Sequence, residues 1–339
     1  MEHRITIRDI AKKAGVHHTT ISLALRNSPK LKKETRESIQ ALATSMGYTP
    51  DPVLSSLMAY RKAVRPPRYQ ETIAWINNWP KRRQPYAYFT GYHEGAVARA
   101  RQLGYAIEEF WLREKGMSPE QLSRILKARN IRGLLLMPQP EAGLYLNLDF
   151  DSFSTVNFGF SFQPPIHHVV GNHHPHSIGL ILKNLIELGY RRIGFYTFNE
   201  DWDERSQNAW LSGLLLAHWK HRSLKLLSPL LHRRRSVWNI EKWIEKDRPE
   251  VIVSHNGVFD LLKKARHRIP EEFGFAGLQL TPDYPDLAGI DQNDREIGMA
   301  AIDLLVGMLQ RGERGIPKVP QRILIEGFWK PGKTVRPSA

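Results

Sequence analysis

Five histidines fall within ten residues, His167, His168, His173, His174 and His176, and imidazoles at that density raise the question of a zinc, nickel or copper site. Carboxylates are sparse beside them, and alternation along a strand would send His167 and His168 to opposite faces. The cluster is therefore read as lying at a strand edge and a helix start facing a cleft, with no metal assigned. Other chemistries are excluded more directly. The chain has no cysteine, which removes disulfides, thiolate ligands and thiol nucleophiles. It has no glycine-rich phosphate loop, no G-x-S-x-G elbow and no HExxH pair, so neither an enzyme nor a cofactor is expected.

A different chemistry is written near the N-terminus. His17, His18, Thr19, Ser22 and Leu23 point outward from a short helix whose inward positions are Ile21, Ala24 and Leu25. The preceding helix is announced by Thr6 and Asp9, spaced as an N-cap and its N3 partner. Ile7, Ile10, Ala11 and Ala14 then form one apolar stripe, and Gly15 ends it. A second helix follows over 17–25 and a third over about 32–46, with Thr35, Ile39, Leu42 and Met46 on one face. Helix, tight glycine turn and helix is a shape that offers its second helix to a DNA major groove. The same shape serves protein–protein modules, and charge decides between them. Residues 1–70 hold thirteen Lys and Arg against five Asp and Glu, roughly half of the net charge of +15 in a fifth of the length. Phosphate neutralisation dominates DNA affinity, so a basic small domain is its footprint.

At 339 residues, with 41% hydrophobic and 24% charged residues, the chain fits a soluble globular protein of two or three compact units. No apolar run approaches the roughly eighteen residues needed to span a bilayer. The start, MEHRITIRD, lacks the apolar core of a secretory signal, and a cytoplasmic protein is expected. After the three helices come Pro50-Asp51-Pro52 and later Pro66-Pro67. Asp51 can cap and Pro52 can open a short helix over about 51–59, although a plain linker is the alternative. From residue 72 onward strand-like runs (72–77, 106–111, 133–138, 154–158, 192–197, 251–254, 274–278) alternate with helical ones (91–103, 118–129, 175–188, 202–218, 256–266, 294–310). Such alternation predicts parallel sheets flanked by helices. Two units are expected, over about 70–165 and 166–290, with the C-terminal piece returning to both. The expected organisation is 1–49 helix-turn-helix, 50–70 hinge and linker, 71–330 two-lobed domain and 331–339 tail. Lys81-Arg82-Arg83 and Arg233-Arg234-Arg235 are read as solvated loops.

The stretches ITIRDIAKKAGVHHTTISLALRN and KKETRESIQALATSMGYTPDPVLSSL resemble the DNA-binding headpiece of the LacI/GalR family of transcriptional regulators. NLIELGYRRIGF (184–195) and DREIGMAAIDLL (294–305) resemble its periplasmic-binding-protein-like domain, so the likeness covers nearly the whole chain. It implies that the helix over 17–25 enters the major groove. His18 and Thr19 then face base edges, Ser22 and Leu23 lie deeper, and Thr6, Thr20, Arg26 and Thr35 meet phosphates. Leu57 of the hinge wedges into the minor groove. Two positions depart from the pattern: His17 stands for the usual serine cap, and Leu23 for the arginine that reads guanine.

In the large domain the resemblance assigns ligand contacts to Asn78, Trp79, Arg205, Trp238, Asn256 and Gln292. The usual aspartate pair is replaced by Gly277-Leu278-Gln279-Leu280, and the usual acidic partner of sugar hydroxyls by Gly159. The implied protein is a homodimer, since no tetramerising heptad tail follows. It would bind double-stranded DNA at a pseudo-palindromic operator and a small polar effector, a sugar or sugar derivative, with no membrane partner. An architectural DNA-binding dimer without an effector and an α/β enzyme are the competing readings.

Overall fold

The computed structural model describes residues 5–25, 27–28, 30–48, 71–80, 86–113, 117–162, 167–197, 205–221, 224–227, 230–231 and 237–337. Arg26, Leu57 with the expected hinge helix, and both arginine-rich loops lie outside them, as does the side chain of Trp238.

The N-terminal helices are α1 (Ile7–Ala14), α2 (His18–Leu25) and α3 (Lys33–Ser45). The capping box is formed: the Asp9 N–H donates to Thr6 Oγ1 at 3.4 Å, and the Thr6 N–H donates to Asp9 Oδ2 at 2.8 Å. Gly15 takes φ 66°, a left-handed turn that glycine adopts without strain. These two ends fix the angle at which α2 leaves α1. Ile10, Ala11, Ile21, Ala24, Ile39 and Ala43 make the core, with Leu25, Leu42 and Met46 only partly buried. Leu25 is thus less enclosed than its spacing suggested, and Thr35 is exposed. The reason is that α3 turns Ile39 and Ala43, an i, i+4 pair, toward its neighbours. Thr6→Ala is expected to destabilise the three-helix unit by about 1 kcal/mol, the usual worth of an N-cap, measured as a shift of its urea midpoint.

The rest builds two sheets. The first has six strands, β1 (Glu71–Asn77), β2 (Tyr105–Trp111), β3 (Gly133–Leu136), β4 (Ser154–Phe158), β5 (His168–Asn172) and β12 (Arg322–Ile325), in the order β12-β5-β4-β3-β1-β2. Every pairing in it is parallel. The second contains β6 (Arg192–Thr197), β7 (Lys225–Leu226), β8 (Leu230–Leu231), β9 (Val251–Ser254), β10 (Gly274–Gly277), β11 (Ala288–Asp291) and β13 (Phe328–Lys330). Its order is β13-β11-β10-β9-β6-β7, with β8 beside β6 and β13 antiparallel to β11. Parallel strands need crossover helices. These are α4 (Tyr86–Leu103), α5 (Pro119–Ala128), α6 (His174–Glu187), α7 (Ala209–Lys220), α8 (Val237–Asp247), α9 (Asn256–Lys264) and α10 (Asp294–Arg311). Among the described residues the chain passes between the sheets three times, from β5 into α6, from β11 into α10 and from β12 into β13.

Helix α10 packs on α4 so closely that a Cβ on Gly95 would lie 2.0 Å from the Arg295 carbonyl oxygen, and one on Gly298 2.1 Å from that of Tyr92. This backbone contact sets Tyr92 and Asp294 beside each other where the two sheets meet.

Several elements differ from the sequence reading. Helix α8 and strands β7, β8, β11, β12 and β13 were not anticipated, and β5 was anticipated only as a strand edge at the histidine cluster. The edge strand β12 alternates exposed and half-buried residues and is only four long, too weak a pattern to separate from a loop. Within the helix expected over 202–218, Arg205 is helical, Gln207 and Asn208 take positive φ values of 57° and 56° and interrupt it, and α7 starts at Ala209.

Candidate ligand cleft and DNA-facing helix

In α2, Thr20, Ser22 and Leu23 are half-buried, while His17, His18 and Thr19 are exposed. His17 takes the N-cap place that serine usually fills. Its Nδ1 lies 2.8 Å from Thr19 Oγ1 and accepts from the Thr19 N–H at 3.4 Å, so imidazole supplies the capping acceptor. The rings of His17 and His18 stand 4.0 Å apart. Thr6 caps α1 and Thr35 is exposed on α3. The helix thus presents two imidazoles and a hydroxyl at its N-terminal end, with Leu23 a turn further on.

The cleft lies between the carboxyl ends of the two sheets, where α/β folds place ligands. Phe89, Tyr92, Pro138, Gly159, Phe160 and Ser161 line it from one side, and Arg205, Ser206, Trp210, His255 and Gln279 from the other. Asn172 and His174, on the first crossing, join the walls. Aromatic faces supply most of the apolar contact, and Arg205 is the only Lys, Arg, Asp or Glu among the described lining residues.

Arg205 is 8% exposed, and its guanidinium lies 5.1 Å from the centre of the Trp79 ring. Trp79 is itself fixed, its indole N–H donating to the Pro138 carbonyl at 2.7 Å and its backbone N–H to Asn77 Oδ1 at 2.9 Å. Stacking on an immobile indole orients the guanidinium fork. On the opposite wall the Tyr92 hydroxyl donates to Asn172 Oδ1 at 2.7 Å.

The histidines of the cleft are neutral near pH 7. Burial pushes His255 down to about 4, with the Arg205 charge adding to the effect. Burial likewise pushes His174 down to about 3, helped by His255. Each then offers one donor and one acceptor instead of a second positive charge. Behind the wall, burial raises the Asp294 carboxyl to about 7, and repulsion from Asp291 adds to it. Among the described lining residues the permanent charge is positive, at Arg205.

Of the six ligand residues expected from sequence, the structure brings Arg205 and Trp79 together. Asn78 turns to Gln139, donating to its Oε1 at 2.9 Å. Asn256 donates to Thr281 Oγ1 at 3.3 Å and Gln292 to the Leu278 carbonyl at 2.8 Å. These three, like Trp79, are buried and are not among the residues lining the cleft. Residues not anticipated are Tyr92, Asn172, Trp210, His255 and Gln279. Only Gln279 carried a signal, standing where an aspartate pair was missing. The histidine cluster divides: His174 faces the cleft beside Trp210 (ring centres 4.3 Å apart), whereas His167 is enclosed by Phe150 and Phe162 at 4.4 and 5.6 Å. Alternation in β5 and the start of α6 sends them apart.

A helix-turn-helix unit is thus followed by two mainly parallel sheets around a cleft. Residues 6–51 match the family described as "Bacterial regulatory proteins, lacI family", and residues 182–335 match "Periplasmic binding protein-like domain". The chain thus carries a lacI-family DNA-binding domain and a periplasmic-binding-protein-like domain. It is 51% identical over 53 residues to the Bacillus subtilis protein named "Probable HTH-type transcriptional repressor ExuR", a match spanning 16% of each chain. To "HTH-type transcriptional repressor PurR" of Haemophilus influenzae it is 28% identical over 56% of this chain and 53% of that one. These matches therefore cover about half or less of the relatives' length. "NTD biosynthesis operon regulator NtdR" of Bacillus subtilis matches at 24% over 94% of this chain and 98% of its own. In fold it resembles the "transcriptional regulator CelR-cellobiose complex", with a TM-score of 0.58 at 18% identity over 98% of this chain and 100% of the other. It also resembles the "lac repressor dimer bound to operator and the anti-inducer ONPF", with a TM-score of 0.55 at 18% identity over 98% and 99%.

Proposed function

We propose that this chain is an effector-controlled transcriptional repressor that binds a pseudo-palindromic operator as a homodimer through α2. The observation that carries the reading is the pairing of a basic, capped helix-turn-helix with a cleft lined by a buried arginine. A two-fold dimer presents two recognition helices and so fits a two-fold operator. A ligand closing the cleft changes the angle between the lobes and thereby the spacing of the headpieces, and by linkage operator and effector alter each other's affinity by the same factor. The effector is a polar metabolite, a sugar or sugar derivative. Arg205 favours one bearing a carboxylate or phosphate, since a planar guanidinium pairs with either by two parallel hydrogen bonds. Phe160 and Trp210 offer flat faces to an apolar sugar surface. The relatives are regulators by name, which argues against an enzyme; a dimer that bends DNA without any effector is the remaining alternative.

The test selects bound fragments from random duplex DNA and repeats the selection with aldoses, sugar acids and sugar phosphates. Recovery of an inverted repeat whose retention changes with one compound supports the reading. A repeat indifferent to every compound, with no thermal shift, favours the architectural alternative.

The two classes of DNA contact separate in a second measurement. Thr19→Ala is expected to change which base is preferred at one position of each half-site, worth about 1–3 kcal/mol of discrimination. Arg26→Ala is expected to weaken binding to all duplexes and lower the slope of log K against log salt by about 1. Equal losses on operator and random DNA for both variants would refute this division.

A further inference from the structure

We propose that His173, His176 and Glu326 form a site for a zinc-like divalent transition ion at the junction of the two lobes. His173 is the N-cap of α6 and His176 lies three positions on, so both imidazoles stand over the first turn, stacked with ring centres 5.6 Å apart. Glu326 comes from the link between β12 and β13, about 150 residues away in sequence. His173 Nδ1 lies 3.4 Å from Glu326 Oε1, and His176 Nε2 lies 3.4 Å from Glu326 Oε2. One donor atom from each residue falls within 4.8 Å of the other two.

These separations are longer than the roughly 2.7–3.2 Å of a good hydrogen bond. Each is close to the roughly 3.4 Å edge of a tetrahedron whose bonds are about 2.0–2.1 Å, the lengths zinc makes to imidazole and carboxylate, with the two imidazoles facing different oxygens of the one carboxylate. Two nitrogens and one oxygen suit zinc, nickel or copper and disfavour magnesium and calcium, which take oxygen donors. Three protein ligands leave a fourth position for water.

The scaffold is held independently of any ion. The His173 N–H donates to the Ile325 carbonyl at 3.0 Å, and Asn293 Nδ2 donates to the Glu326 carbonyl at 2.6 Å. The backbones of both strands are thus registered before the side chains meet. His173 lies on the first crossing between the sheets and Glu326 on the third, so an ion here joins two of the connections about which the lobes rotate. Occupancy stiffens that hinge and biases the lobe angle.

The experiment uses the full chain without a histidine tag, stripped with EDTA and dialysed against Zn(II), with bound metal counted by mass spectrometry. About one zinc per chain is expected, with millimolar Mg(II) or Ca(II) failing to displace it. His173→Ala, His176→Ala and Glu326→Gln should each weaken binding at least tenfold. His218→Ala, at an exposed histidine of α7, should not. Melting temperatures of the zinc-free variants should match the parent, and only the parent should gain on adding zinc. No saturable uptake, or uptake that all three variants retain, overturns the proposal. Operator and effector measurements are not needed for either outcome.

Discussion

Arg205→Ala is expected to leave operator binding intact and to weaken effector binding roughly 30- to 150-fold. That range corresponds to the loss of about 2–3 kcal/mol when a charge-assisted hydrogen-bonding pair is broken inside a closed site. The guanidinium is buried, stacks on Trp79 and lines the cleft. A ligand carboxylate or phosphate that loses it stays desolvated without a partner. Arg205→Lys should recover only part of the loss, because an ammonium restores the charge but not the planar fork. Isothermal titration with the compound identified by selection, alongside operator titration, separates the two affinities. A neutral effector bound equally well by wild type and Arg205→Ala would remove the arginine from the binding account and with it the anionic class of ligand.

The second large effect is on stability in mild acid. His167 and His255 are buried and held down to about 4, in both cases chiefly by desolvation. Between that value and about 6.5 the unfolded chain takes up a proton that the folded chain refuses, so stability falls as pH falls, by about 1.4 kcal/mol per pH unit for each such histidine. His174, held down to about 3 by burial, adds in the same direction. Asp294 acts oppositely. Its carboxyl keeps a proton up to about 7, so between about 4 and 7 the folded chain holds a proton that the unfolded chain releases. The net expectation is a loss of about 1.4–3 kcal/mol per pH unit between pH 6 and 4.5, read from urea titrations at several pH values. Neither nitrogen of His167 has a protein partner among the described residues, and its neighbours are the rings of Phe150 and Phe162. His167→Phe should therefore flatten the slope by about one histidine's share, and also stabilise at pH 7, since an unsatisfied buried polar group is removed. An unchanged slope in that variant would show that His167 takes up its proton without unfolding.

How far the chain could be read before folding depended on the range of the interactions involved. The capping box of Thr6 and Asp9, the stop at Gly15 and the stripe through Ile10 and Ala11 act within one or two turns, and all are legible as spacing. Strands β1, β3, β4 and β9 were legible too, as short apolar runs enclosed on both faces. The order of strands was not, because it records which run pairs with which across more than a hundred residues. The cleft shows the same limit. Arg205 could be singled out by position, but its seat on Trp79 depends on a turn with two positive-φ residues, and Tyr92 and Asp294 meet because Gly95 and Gly298 let two distant helices touch.

The amino-acid order alone determined a basic three-helix front end, two parallel α/β units and the absence of thiol chemistry, since each follows from local periodicity, capping and composition. The three-dimensional packing alone decided which polar groups share a wall of the cleft and which histidines stay neutral. It also brought Glu326 to His173 and His176, although the sequence holds no carboxylate near that cluster. Desolvation and convergence are properties of neighbours in space, and here those neighbours come from strands and helices that the chain order keeps far apart.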